Sequence, residues 1–390
     1  MTRQRKFHLL LVALLAMASC RGTEDAEVIP SASDIEADLS LGNVARILSS
    51  LPLEHDHLSE VHDAVNSSFG NGYDEEYMMS DLFENPGAGV GSNGVATKAD
   101  GYACPLRHLF EDYFESMPKT KAGTSAKAYI EALSSSDMQI YWPYSDEWDG
   151  EQYPIVTFDP GYGAESNYGY EIKLVDGGVR VVDSVYVDEA IAMQRPVWVI
   201  NRNDDSAYSP MELITRGMPT KAEGSENGKT LKIKSFTMFR NYDSWFGGGS
   251  EFFIRCGAVD GFKATKDDEL KHYVPSVTDF EVNVRRREVN ESHDLDCLLL
   301  TNFTPQMESL AFLVTEDDGG ETVSWDASAV VKYNSKQYGF EIKLPYKDKD
   351  DIVWRGQLHR SYFFPEEAGK KPQNQIAARF GDVEIIFELE

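Results

Sequence analysis

From Leu231 onward the chain reads as one short apolar or alternating run after another, separated by polar turns that carry glycine or aspartate. The runs fall at 231–239, 251–256, 280–286, 297–301, 311–314, 340–344, 352–358 and 383–389. Runs of strand length at this density, without any long stretch of 3.6-residue periodicity, leave few options. They predict antiparallel sheets packed face to face, a β-sandwich over residues 230–390. A second set precedes it, at 138–142, 155–158, 170–174, 179–182 and 197–200, with Asp149-Gly150, Pro160-Gly161 and Asp176-Gly177-Gly178 as turns. Ahead of that set, Leu106, Leu109, Phe110, Tyr113 and Phe114 share one face of a helix over 105–118. Residues 101–205 therefore read as a small α+β domain. The polar stretch 201–229, ending in Gly224-Ser225-Glu226-Asn227-Gly228, reads as the boundary and as the protease-sensitive segment. The expected fold class is mainly β, α+β overall: an antiparallel sheet domain plus a C-terminal β-sandwich, with a short helical N-terminal region.

The N-terminus supplies an address. Arg3, Arg5 and Lys6 precede an apolar run from Phe7 to Ala18, broken only by His8, which is too short for a spanning helix and fits a signal peptide over residues 1–19. Leu15-Ala16-Met17-Ala18-Ser19-Cys20 resembles a bacterial lipobox, and the resemblance implies lipidation of Cys20. Arg21-Gly22-Thr23-Glu24-Asp25-Ala26-Glu27 is similar to the acidic export signal of Bacteroides-type surface lipoproteins. That similarity implies a lipid-anchored outer-membrane protein facing the cell exterior. Residues 20–100 then read as a lipid-anchored tether with short helices, at 35–51 and 58–65, and a glycine-rich linker, Pro86 to Gly94.

Charge narrows the partners. The formal net charge is −28, and residues 1–19 hold three cations and no acids, so their removal makes the chain more acidic still. A general nucleic-acid binder needs clustered Lys and Arg, so no nucleic-acid partner is expected. Such acidity is compatible with cation binding. Cysteine adds little: beyond Cys20 there are Cys104, Cys256 and Cys297. Cys256 and Cys297 lie in strand-like runs, and both a disulfide and buried free thiols remain open.

Three groups of residues could carry chemistry. Glu54-His55-Asp56-His57-Leu58-Ser59-Glu60-Val61-His62 holds several zinc-competent side chains, although its order is not that of a zinc protease. Acidic loops form the second group, at Asp243, at Glu316, Asp317 and Asp318, and at Asp350 and Asp351, each beside a strand run. Calcium takes six to eight oxygens, commonly from loop carboxylates, so three such loops at one end of a sandwich would make calcium the expected cofactor. In this alternation of strand, acidic loop and strand, residues 231–390 resemble C2-type calcium-binding sandwiches in pattern. The third group is aromatic. Tyr141, Trp142, Tyr144 and Trp148, rimmed by Asp146, Glu147 and Asp149, could stack on sugars or anchor a peptide.

No Gly-x-Ser-x-Gly elbow, Walker loop or dinucleotide fingerprint occurs, and no residue nominates itself as catalytic. The leading expectation is a non-enzymatic outer-membrane surface lipoprotein that binds or holds a protein or glycan partner. Two alternatives stand beside it: a hydrolase of peptide or glycan with a metal site, and a fimbrial or adhesin-type component.

Overall fold

A computed structural model describes residues 35, 38–70, 74–83, 105–117, 126–175, 179–203 and 229–390. The expected signal peptide, Cys20, the expected glycine-rich linker, Cys104 and nearly all of the expected boundary segment lie outside the described residues. The chain is mainly β with several antiparallel sheets and a few helices.

The N-terminal half carries helices α1 (Leu41–Ser50), α2 (His55–Gly70), α3 (Met79–Phe83), α4 (Pro105–Ser116) and α5 (Ala126–Ser134). Its strands are β1 (Glu76–Met78), β2 (Met138–Tyr141), β3 (Ile155–Phe158), β4 (Ser166–Val175), β5 (Val179–Asp188) and β6 (Val197–Arg202), with α6 (Glu189–Ala192) between the last two. They form one sheet in the order β1-β2-β6-β3-β4-β5. All pairs are antiparallel except β3 with β6, so the sheet is mixed where the turn pattern suggested antiparallel strands throughout.

Within the region read as a tether, helices α1, α2 and α3 pack into this domain. Val44, Ile47 and Leu48 of α1 and Leu58, Val61 and Val65 of α2 are buried in one core with Phe110, Ile140, Trp142, Trp198 and Ile200. Apolar spacing of three and four residues puts these side chains on one helix face, and the sheet covers that face. Glu60 reaches from α2 into the same core. Its carboxylate accepts from Tyr77 Oη at 3.1 Å and from the Leu106 amide at 2.9 Å, so it satisfies an otherwise orphan donor in the first turn of α4.

The C-terminal half has ten strands where eight were expected. One sheet runs β10-β7-β16-β15, built from β7 (Lys229–Met238), β10 (Ser292–Phe303), β15 (Gln375–Phe380) and β16 (Val383–Leu389). The other runs β13-β12-β11-β8-β9, from β8 (Ser250–Ala258), β9 (Ser276–Val284), β11 (Met307–Glu316), β12 (Thr322–Tyr333) and β13 (Lys336–Lys347). A branch strand, β14 (Asp351–His359), also pairs with β11. Both sheets feed a single apolar core that includes Phe236, Phe252, Phe312, Phe363 and Phe387, a sandwich-like arrangement. Asn334 and Ser335, both at positive φ, form the two-residue turn of the β12–β13 hairpin, the geometry that matches strand twist. Cys256 and Cys297 are free thiols, so no disulfide joins them.

The two halves meet through the loop between β7 and β8. Trp245 and Phe246 are fully buried against Tyr141, Ile155, Val187, Val197 and Val199 of the N-terminal sheet. Trp245 Nε1 donates to the Glu165 carbonyl at 3.0 Å, and Asn201 Nδ2 donates to the carbonyls of Phe246 and Gly247 at 3.1 and 3.2 Å. The following Gly247-Gly248-Gly249 is a point of close approach. The Gly249 amide donates to Asp74 Oδ2 at 3.1 Å. A Cβ on Gly248, which sits at φ +129°, would come within 2.1 Å of the same oxygen. Three consecutive arginines complete the junction. Arg285 lies over the Phe69 ring and 3.8 Å from Glu75. Arg286 pairs with Glu189 at 2.8 Å, and Arg287 pairs with Asp146.

Candidate functional site

The acidic loops converge, and they do so beside this junction. Strand pairing explains why. β11 lies between β8 and β14, with Glu316 opposite Phe252 on one side and Asp351 on the other. Glu251, at the start of β8, is therefore brought to the same sheet end as Glu316, and the Asp317 amide donates to the Glu251 carbonyl at 2.9 Å. The loop that anchors Trp245 delivers Asp243 to this end from the other direction. One carboxylate oxygen each from Asp243, Glu251 and Glu316 lies within 4.8 Å of the others. Oxygens bound to one calcium at 2.3–2.6 Å are at most about 5 Å apart, so the three fit around a single ion.

Around this triad sit Asp317, Asp318, Asp350 and Asp351. Asp317 is buried, accepts from the Gly319 amide at 2.9 Å and pairs with Lys347 Nζ at 2.7 Å. Asp350, only 8 % exposed, takes the Lys347 amide on Oδ2 at 2.9 Å. Its Oδ1 is buried without a hydrogen-bond partner, as is Asp243 Oδ2. Burial raises the Asp243 carboxyl above its ordinary value, with Asp317 and Asp351 adding to the rise and Glu316 and Arg286 opposing it. Burial also raises Asp350, with Asp317 adding to it. At the rim, Asp318 is pushed up to about 6 by partial burial and by Asp243, Asp351, Asp350 and Asp317 together. These carboxylates work against one another, with Lys347 the cation paired directly into the group. A bound cation would relieve that repulsion.

The acidic residues named from the sequence thus share one sheet end. Glu251 escaped notice because it is the second residue of a strand whose remaining members are nearly all apolar and buried. It reads as strand, not as loop.

The histidine segment does not converge. His57 Nδ1 accepts from the Glu54 amide at 2.9 Å, His55 Nδ1 lies 3.2 Å from Ser59 Oγ, and His62 Nε2 lies 3.1 Å from the Ser145 carbonyl. Among the described residues, the acidic triad is the group of three or more ligand-type side chains close enough to share an ion.

The aromatic group splits. Tyr141 and Trp142 are buried, Tyr141 at the junction and Trp142 in the N-terminal core. Tyr144 and Trp148 are half-buried and border a cavity together with Trp142. Among the described residues no helix is long and apolar enough to cross a membrane.

Comparison of the chain with known protein families, with curated proteins and with solved structures finds no match.

Proposed function

We propose that this chain is a non-enzymatic lipoprotein, anchored through Cys20 to the outer membrane and facing outward, that binds or holds a protein or glycan partner and takes calcium at the Asp243, Glu251 and Glu316 cluster. One observation carries the calcium reading: acids from a loop and from two different strands meet within the span of one ion's coordination shell. Calcium takes six to eight oxygens, and the neighbouring Asp318, Asp350 and Asp351 add negative charge around the triad. In this reading calcium has a structural task. It would tie β8 and β11 to the loop that carries Trp245 and Phe246, and so hold the two halves as one binding body. Extracellular modules bind calcium at about 10⁻⁴–10⁻³ M, a range suited to a site outside the cell. The lipid anchor rests on the Leu15–Cys20 sequence and the acids that follow it.

The test has two arms. Millimolar calcium, compared with chelator at constant ionic strength, is expected to raise the melting temperature, with about 2.7 kcal/mol of added stability at a hundredfold excess over Kd. Magnesium, which demands a tighter octahedron, is expected to do less. Equal shifts with both ions, or none, would remove calcium from the reading. In the second arm, Cys20→Ala is expected to abolish incorporation of labelled fatty acid and to release the protein from the membrane fraction. Labelled mutant, or unlabelled wild type, would remove the anchor.

A further inference from the structure

A cavity of about 110 Å³ opens beside the junction, between the segment that follows β2 and the turn that follows α6. Trp142 and Trp148 form its aromatic walls, with ring centroids 5.2 Å apart and planes at 60°. Trp148 is fixed by its Nε1, which donates to the Gln152 carbonyl at 2.9 Å, and by His62, 5.2 Å away. Trp142 is 0 % exposed as a residue, and its indole Nε1–H is buried with no acceptor. At the mouth stand Glu147, an exposed carboxylate that makes no ion pair or hydrogen bond among the described residues, and Met193, 53 % exposed. Arg195 lines the same cavity, its guanidinium 2.6 Å from Glu171.

Tyr144, also on the wall, has φ +59° and ψ 30°. For a bulky residue that conformation is strained and persists only where the surroundings enforce it. Here the enforcement is visible: the Tyr144 hydroxyl donates to Glu189 Oε1 at 2.9 Å, and Arg286 clamps Glu189 from the other half of the molecule.

The geometry points to a site for one pyranose ring, the terminal sugar of a glycan. Each class of group in the wall selects for it. A sugar presents an apolar C–H face that stacks on an indole, and hydroxyls that both donate and accept. Glu147 offers an acceptor, and Arg195 offers donors. An organic cation would use the Trp148 ring and Glu147 but would meet the Arg195 guanidinium. A simple anion would meet Glu147 and Asp149. A purely apolar ligand would bury charges without partners. The volume admits one ring, which excludes an extended chain lying wholly inside. This inference rests on the binding-protein reading above and narrows its partner to a glycan.

The experiment titrates the purified full chain with the methyl glycosides of glucose, galactose, mannose and N-acetylglucosamine and follows tryptophan emission. At least one glycoside is expected to bind. Trp148→Ala is expected to weaken that binding roughly tenfold or more. Because Trp148 also packs on His62 and Trp142, Glu147→Gln serves as the second variant; its carboxylate is exposed, so the fold is not at stake, and a similar loss of about tenfold is expected. Choline chloride is the control cation. No response to any glycoside, choline binding in their place, or sugar binding that is unchanged in both variants overturns the proposal. Calcium and fatty-acid results are read separately, so a failure here leaves the anchor and the cation site to stand or fall on their own tests.

Discussion

Glu75 offers a direct test of how the two halves are held together. It is 4 % exposed, accepts from Ser145 Oγ at 3.1 Å and lies 3.8 Å from Arg285 Nη1. Its carboxyl is pushed up from 4.5 to about 7, first by burial and then by neighbouring Asp74, with Arg285, Ser145 and Arg287 opposing the rise. Arginine at 3.8 Å therefore recovers only part of what burial costs. The native state holds this proton more tightly than the unfolded chain, so the contribution to stability is fully present below pH 4.5 and is lost as pH rises through 7. At 1.36 kcal/mol per unit the loss amounts to about 3 kcal/mol. Glu75→Gln removes the titration, keeps an oxygen for Ser145 and stays neutral throughout. The variant is expected to match wild type near pH 4 and to exceed it by up to about 3 kcal/mol at pH 8. Urea denaturation of both proteins at pH 4.5, 6 and 8 measures the gap. A gap that stays constant across this range, or a variant less stable than wild type at pH 8, would refute the argument that burial outweighs the arginine.

Trp245→Ala is expected to cost about 3–5 kcal/mol and, because the ring is the chief anchor between halves, to split a single urea transition into two. Gly248→Ala places a Cβ where Asp74 Oδ2 stands 2.1 Å away, so a loss of roughly 3 kcal/mol is expected. That loss should shrink in an Asp74→Ala background, as a double-mutant cycle of denaturation energies would show.

Much of this architecture could be read from residue patterns, and the exceptions have physical causes. Strands with one buried face announced themselves: the alternation in Val383–Leu389 appears in the structure as alternating burial along β16. Three strands do not show in the sequence: β12, β15 and the three-residue β1. β12 carries Thr322, Val323, Ser324 and Asp326 on an exposed stretch of hairpin, where solvent imposes no alternation. β15 buries Ile376, Ala378 and Phe380 on alternate positions, but alanine is too small to stand out against its neighbours. Helices α1, α2 and α4 are visible in the sequence as helices, whereas the short α3, α5 and α6 are not, and nothing in α1 or α2 says which surface their apolar faces will meet. That is decided by the sheet of residues 76–202, far along the chain. The acidic loops were recognisable one by one because carboxylates beside strand ends are local features. Their convergence depends on β11 pairing with both β8 and β14, a long-range fact. Trp245 and Phe246 were legible only as members of a polar, glycine-rich loop, since a ring's destination in another domain leaves no periodic trace.

The loop from Phe239 to Gly249 joins these observations. Within a few residues it supplies Asp243 to the acidic cluster, Trp245 and Phe246 to the N-terminal core, and the Gly249 amide to Asp74. Arg286 fastens both ends of the arrangement, since its guanidinium donates to the Asp243 carbonyl at 2.8 Å and to Glu189, which in turn holds Tyr144 at the cavity wall. A displacement of this loop would move a carboxylate away from Glu251 and Glu316, withdraw two aromatic rings from the junction and release the restraint on Tyr144. Acidic cluster, junction and cavity are thus stations on one continuous set of contacts. The acidity of the chain then acquires a structural consequence. Carboxylates gathered at the sheet end repel one another unless neutralised, so the loop's docked position is the one most exposed to changes in local charge, and the rings of Trp245 and Phe246 supply the apolar burial that holds it against that repulsion.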